Sequence, residues 1–90
     1  MPQAIVDPAD LRRFAYQLKQ FSADLQQNLS ALHGRLIALG ETWRDQEHQK
    51  FVAEFEETLR VVSKFTNAAE QHVPFLLRKA ERVDEYLSQK

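Results

Sequence analysis

The 90-residue chain has no cysteine, only two glycines and three prolines, and a single tryptophan. Without cysteine there is no disulfide, no thiolate chemistry and no cysteine-based zinc site. So little glycine and proline leaves few turn or bulge formers. With Leu, Gln, Glu, Ala and Arg abundant, the chain reads as all-α. No charge sign prevails either: Lys+Arg number 12 against Asp+Glu 13, a formal net charge of -1. That balance gives no electrostatic case for nucleic acid or for an anionic membrane surface. No apolar run reaches the roughly 18 residues of a membrane span, so no membrane insertion is expected. The opening Met1-Pro2-Gln3-Ala4-Ile5-Val6-Asp7-Pro8 lacks the basic and apolar regions of a cleavable signal peptide. The length predicts one small domain over 1–90.

What the chain does have is helical periodicity on both sides of a central turn signal. A first helix is predicted over about 8–39. Asp7 can cap it, Pro8 suits the first helical position, and Asp10 adds negative charge where the helix dipole favours it. Its apolar residues are Leu11, Phe14, Leu18, Phe21, Leu25, Leu29, Leu32, Leu36 and Leu39. They step by threes and fours in a seven-residue repeat, with one four-residue insertion across Phe21, Leu25 and Leu29. Such a stutter locally relaxes a left-handed supercoil. At 1.5 Å per residue the arm is roughly 45–50 Å long. Gly34 falls inside it at a cost of about 1 kcal/mol against alanine; close approach of another chain would explain its presence.

The tract Leu39-Gly40-Glu41-Thr42-Trp43-Arg44-Asp45 predicts a turn over about 40–45. Gly40 is expected to stop the first helix in the left-handed conformation. Thr42 with Asp45, or Asp45 alone, can cap the second helix. That helix, about 46–88, carries Phe51, Phe55, Thr58, Val62, Phe65, Ala69, His72, Leu76, Ala80, Val83 and Leu87, with Val52 and Leu59 beside them. Pro74 removes a hydrogen bond and crowds the Glu70 carbonyl. The stripe keeps its phase across it, so a kinked continuous helix is expected in preference to a break.

A lone two-helix hairpin has no third layer to cover its remaining apolar width. Ala15, Tyr16 and Ile37 on the first arm, and Val52, Leu59 and Val61 on the second, lie beyond a single seam. A second hairpin alongside would cover them in a four-helix bundle, so a dimer is expected, with a symmetric homodimer as the default. Leu11, Phe14, Leu18, Phe21, Leu25, Leu29, Leu32, Leu36, Leu39, Phe51, Phe55, Leu59, Val62 and Phe65 are the predicted core and dimer-packing residues. Trp43, at the open end of the hairpin, reads as an apolar plug. It also reads as part of a surface groove for another protein's helix or tail.

Residues that could carry chemistry are few. His33, His48 and His72 are far apart, and none has the Glu-x-x-His or two-histidine spacing of a helical metal site. The cluster Glu54-Phe55-Glu56-Glu57 reads as an exposed helical face with a Glu56–Arg60 ion pair, not as paired acid/base carboxylates. There is no glycine-rich phosphate loop and no Gly-x-Ser-x-Gly turn. Arg78, Lys79 and Arg82 are interleaved with Glu81, Asp84 and Glu85, as on a solvated surface. No catalytic residue, metal or cofactor is assigned.

The chain resembles the small WXG-motif proteins of type VII secretion systems, the early-secreted-antigen-like family. The resemblance rests on Ile5-Val6-Asp7-Pro8, the Leu/Phe-rich first arm, the mid-chain Trp43, Phe51 eight residues later, and total length. It implies an antiparallel homo- or heterodimeric bundle of helical hairpins, exported folded and without a cleavable signal by a membrane ATPase. It also implies a non-enzymatic role as effector, carrier or secretion partner, with no cofactor. Two departures stand out. Trp43-Arg44-Asp45 replaces the family's Trp-x-Gly, and the Tyr-x-x-x-Asp/Glu export signal is absent: Tyr86 is followed by Lys90 and Tyr16 by Gln20. The sequence is equally compatible with a cytoplasmic adaptor or scaffold of the same fold.

Overall fold

The structure, a computed structural model, describes residues 6–88. Ile5 of the opening tract and Lys90 after Tyr86 lie outside them. Two long helices, α1 (Pro8–Ala38) and α2 (Gln46–Ser88), are joined by a short 3-10 turn at Leu39–Glu41 and an irregular link. They fold back on each other as a hairpin, 69 × 16 × 16 Å in extent with a radius of gyration of 20.4 Å. A compact chain of this length would have a radius of about 12 Å.

The start of α1 follows its sequence signals. Asp7 is extended and its Oδ1 accepts the Ala9 N–H at 2.9 Å, while Pro8 occupies the first turn without wasting a donor. Arg13 pairs with Asp10 at 2.6 Å, and Arg12 reaches across to Asp84 near the far end of α2. The stop differs from expectation. Neither glycine has a positive φ, so Gly40 is not a left-handed cap. α1 instead tightens into the 3-10 turn, and the Leu39 carbonyl accepts the N–H groups of Thr42 (3.0 Å) and Trp43 (2.7 Å). Asp45 begins α2: its Oδ1 accepts the His48 N–H at 3.1 Å. α2 runs on through Pro74 without a break.

The seam between the helices is thin. The buried apolar residues are Ala15, Leu36, Ala69, Val73 and Ala80, joined by the polar Ser22, His48 and Thr66. Leu18, Leu25 and Leu29 of α1 and Val52, Leu59 and Val62 of α2 are half-buried between these. Small residues let the helices pack along the waist, where Gln26 donates to Thr66 Oγ1 at 2.8 Å and Thr66 donates to the Ser63 carbonyl at 3.0 Å. Ser22 Oγ is buried with no hydrogen-bond partner.

Candidate functional site

Each helix carries apolar residues beyond the strip it turns to the other; one set from each helix shares a face, while Tyr16 and Ile37 of α1, expected to be covered with it, are exposed away from that face. On α1, Phe14, Phe21, Leu32 and Leu39 are about half exposed. On α2, Phe51 and Phe65 are likewise about half exposed, and Val61 and Phe75 more so. The rings of Phe21 and Phe65 meet edge to face at 6.5 Å across the hairpin. Nearer the turn, Leu32, Arg35, Leu36 and Leu39 from α1 and Phe51 and Phe55 from α2 line one open, almost wholly apolar groove of about 350 Å³. These contacts place Phe21, Leu32 and Leu39 with Phe51 and Phe65 on one face of the hairpin, and Phe14, seven residues before Phe21, shares it by helical spacing. The other side is mixed: Arg12–Asp84 and His33–Glu56 bridge the helices there, and a second groove is lined by Lys19, Gln26 and Glu70 together with Ala23, Val73 and Pro74.

The structure divides the sequence-derived packing set between two environments. Leu36 is buried, and Leu11, Leu18, Leu25, Leu29, Phe55, Leu59 and Val62 are half-buried along the seam. Phe14, Phe21, Leu32, Leu39, Phe51 and Phe65 form the open face. Of the turn residues, Trp43 is half-buried, while Arg44 and Asp45 are exposed. Arg44 Nε donates to the Glu41 carbonyl at 3.1 Å, bracing the link between the helices.

The turn is held by a residue that sequence reasoning passed over. His48 is buried, and its Nε2–H donates to the Leu36 carbonyl at 2.9 Å, satisfying a carbonyl in the last full turn of α1. The indole of Trp43 lies against it with ring centroids 4.9 Å apart, and packs on Phe51 at 6.3 Å. Phe51 stacks on Phe55 at 6.5 Å, and Phe55 on His33 at 6.2 Å, so an aromatic ladder climbs from the turn. His33 Nε2 then pairs with Glu56 at 2.9 Å. The expected Glu56–Arg60 pair is replaced: His33 takes Glu56, and Arg60 bonds Glu57. Gly40 has its own reason here. A Cβ on it would stand 3.1 Å from His48 Cε1, so glycine clears room for the imidazole. The clue in the sequence was the pairing of a glycine just past one helix with a histidine three residues after the cap of the next.

Among the described residues no group of three or more His, Asp or Glu side chains is placed to hold a metal ion. No described helix is long and apolar enough to cross a membrane. What the described residues present is an apolar face and an aromatic turn.

Comparison with known proteins agrees with this architecture. The family model WXG100, described as proteins of 100 residues with WXG, matches residues 3–86. Among solved structures, a variant of the secreted protein EsxB from Bacillus anthracis str. Sterne superposes with a TM-score of 0.79 at 24% identity, covering 94% of this chain and 98% of that one. The selenomethionine-labelled EsxB of the same strain gives 0.80 at 22% identity, covering 96% and 98%. A second EsxB variant gives 0.76 at 21% identity, covering 96% and 94%. At these identities the likeness concerns the hairpin fold. The search of curated proteins returned no match.

Proposed function

The chain belongs to the WXG100 family, and from that premise we propose that two hairpins pair through the open apolar face into an antiparallel four-helix bundle. The bundle works by protein–protein interaction, without catalysis or cofactor, as an exported effector, carrier or partner in type VII secretion. Trp43-Arg44-Asp45 is this chain's form of the family's Trp-x-Gly turn, with the Asp45 carboxylate capping α2. A membrane secretion ATPase is the machine that would move it.

The observation that carries the pairing is the one-sided exposure of Phe14, Phe21, Leu32, Leu39, Phe51 and Phe65. The isolated hairpin exposes 7256 Å². A compact protein of 10.5 kDa would expose roughly 5400 Å². The excess is more than the roughly 800 Å² per partner that a standard interface removes. Light scattering tests the pairing: at micromolar concentration the expected mass is twice 10.5 kDa, and a stable, well-folded monomer would overturn it. Export is tested by following tagged chain into culture medium with and without the secretion ATPase. Intact protein outside unlysed cells, dependent on that ATPase, is the expected result.

A second reading has its own observation. Tyr86 is followed four residues on by Lys90 instead of an acidic residue. A chain lacking that signal leaves with a signal-bearing companion or stays inside as a helical scaffold. Retention in cells that export other substrates selects the scaffold.

A further inference from the structure

We infer that the back of the hairpin, away from the open apolar face, docks an α-helix of a different protein. That helix lies along α1 between Tyr16 and Ile37 and is anchored by a basic side chain at Glu70. The surface is separate from the open face and does not depend on the pairing proposed there.

α1 carries a second seven-residue pattern that neither the seam nor the open face uses. Tyr16, Ala23, Ser30 and Ile37 are seven apart, and Gln20, Gln27 and Gly34 each follow four residues after one of the first three. The pattern runs for three heptads without a stutter, over about 31 Å of helix. Every member is exposed and none is charged. Ala23 stands roughly 200° round the helix from Phe21 of the open face, and it lines the groove of the opposite side. The ends of the strip are its two large apolar residues, Tyr16 and Ile37, each about half exposed. Alternating steps of four and three mark where a straight neighbour helix stays in register.

Gly34 supplies the close approach. Nothing in the hairpin stands within 4 Å of a Cβ built on it, yet glycine costs a helix about 1 kcal/mol against alanine. With Ala23 and Ser30 on the same strip, it lets a second helix come in at or below the usual separation of about 8–10 Å. Tyr16 and Ile37 then close over the ends of the contact.

The groove beside this strip, about 390 Å³, sets the chemistry of the occupant. Lys19, Ala23 and Gln26 line it from α1, and Glu70, Val73 and Pro74 from α2. Gln26 gives its amide nitrogen to Thr66, which leaves its oxygen as an acceptor. The Glu70 carboxylate is in no ion pair among the described residues. Pro74 has no N–H to give the Glu70 carbonyl, so the same residue offers a second oxygen. A lysine or arginine on the incoming helix answers these acceptors. Lys19 on the other wall, also outside any ion pair among the described residues, asks for an acidic residue beside it. A copy of α1 laid along its own strip brings no carboxylate to Lys19. In full overlap its bulky ends would also hold the two small centres apart. The fitting partner is a helix that is bulky where α1 is small, with one basic and one acidic flank residue.

A synthetic amphipathic peptide of about three heptads tests this, with leucine at its heptad positions, an arginine placed for Glu70 and a glutamate for Lys19. Labelled peptide titrated with the full chain is expected to bind saturably and to gain helicity. Gly34→Leu, which favours the helix but fills the strip, and Glu70→Arg should each weaken binding by at least about tenfold. The double variant Lys19→Glu/Glu70→Arg should prefer a peptide with its arginine and glutamate exchanged, and Phe21→Asp on the open face should leave binding unchanged. Circular dichroism equal to wild type controls for folding of each variant. Binding lost in Phe21→Asp but kept in Gly34→Leu places the peptide on the open face and overturns the inference. Binding blind to the charge exchange overturns the anchor at Glu70, and binding without gain of helicity overturns a helical occupant. Assembly beyond a dimer that Gly34→Leu abolishes makes the occupant a second copy and overturns the different partner. Absence of saturable binding overturns the docking surface itself.

Discussion

The turn-proximal and terminal halves of the hairpin solve the same packing problem in opposite ways. Near the turn large side chains fill the seam, although Leu32, Leu39 and Phe51 stay about half exposed on the open face. Leu36 and His48 are buried, and Trp43 and Phe55 are half-buried in a ladder of rings. Toward the termini the seam is made of Ala15, Ser22, Thr66, Ala69 and Ala80, and the large rings of Phe14, Phe21, Phe65 and Phe75 stand outside it. One half is clasped from within by His48 and Trp43. The other sends its apolar surface to the exterior, where only a neighbour keeps it dry. The turn half thus contributes large side chains to both the seam and the open face, whereas the phenylalanines of the terminal half all stand on the outside.

Substitutions that separate the halves should order themselves accordingly. The largest effect is expected from Phe21→Asp, which sets a carboxylate in the middle of the terminal half's open face. Dimerisation should weaken by 100-fold or more in sedimentation or light scattering, because an unpaired charge would have to be buried. Unchanged association would show that this half is not the interface. Next comes His48→Ala, which removes the donor to the Leu36 carbonyl and leaves a void beneath Trp43. About 2–4 kcal/mol should be lost in denaturant unfolding. A loss within a few tenths would mean that the clasp holds nothing.

The two glycines sharpen the contrast further. Gly34 is exposed, with nothing within 4 Å of an added Cβ. Gly34→Ala should therefore stabilise by up to about 1 kcal/mol through helix propensity. Gly40→Ala meets the His48 ring at 3.1 Å and should lose that gain, regaining it in the His48→Ala background. The smallest effect is expected at the waist. Ser22→Ala deletes a buried hydroxyl with no partner and should be neutral or stabilising by about 1 kcal/mol in thermal unfolding. A large destabilisation would mean that the hydroxyl has an essential partner.

Much of this was legible before any coordinates, because helices announce themselves by period. The start at Asp7-Pro8, the turn around Trp43 and the two amphipathic arms all follow from local signals. What period alone does not resolve is which edge of a wide apolar stripe faces inward. Phe14, Phe21 and Phe65 are larger than Ala15, Ser22 and Thr66, so they draw the eye as core. Yet close helix packing selects the small residues for the seam and turns the rings outward. Ser22 and Thr66 were invisible for that reason, being polar residues in a buried strip. His48 was missed because its role depends on α1 ending at one particular carbonyl, and Gly40 was misread as a backbone device when its lack of a Cβ was the point.

The hydrogen bond from His48 to Leu36 joins residues only 12 apart in the chain, whereas Arg12 and Asp84 are separated by 72. Closing the shorter loop costs about 1.6 kcal/mol less entropy. The molecule behaves as a zip fastened at one end. Loop closure alone therefore favours forming the bend before the rungs farther from it. By the same count, the Arg12–Asp84 rung is expected to open before the His48–Leu36 bond on heating, an order that hydrogen exchange would read out.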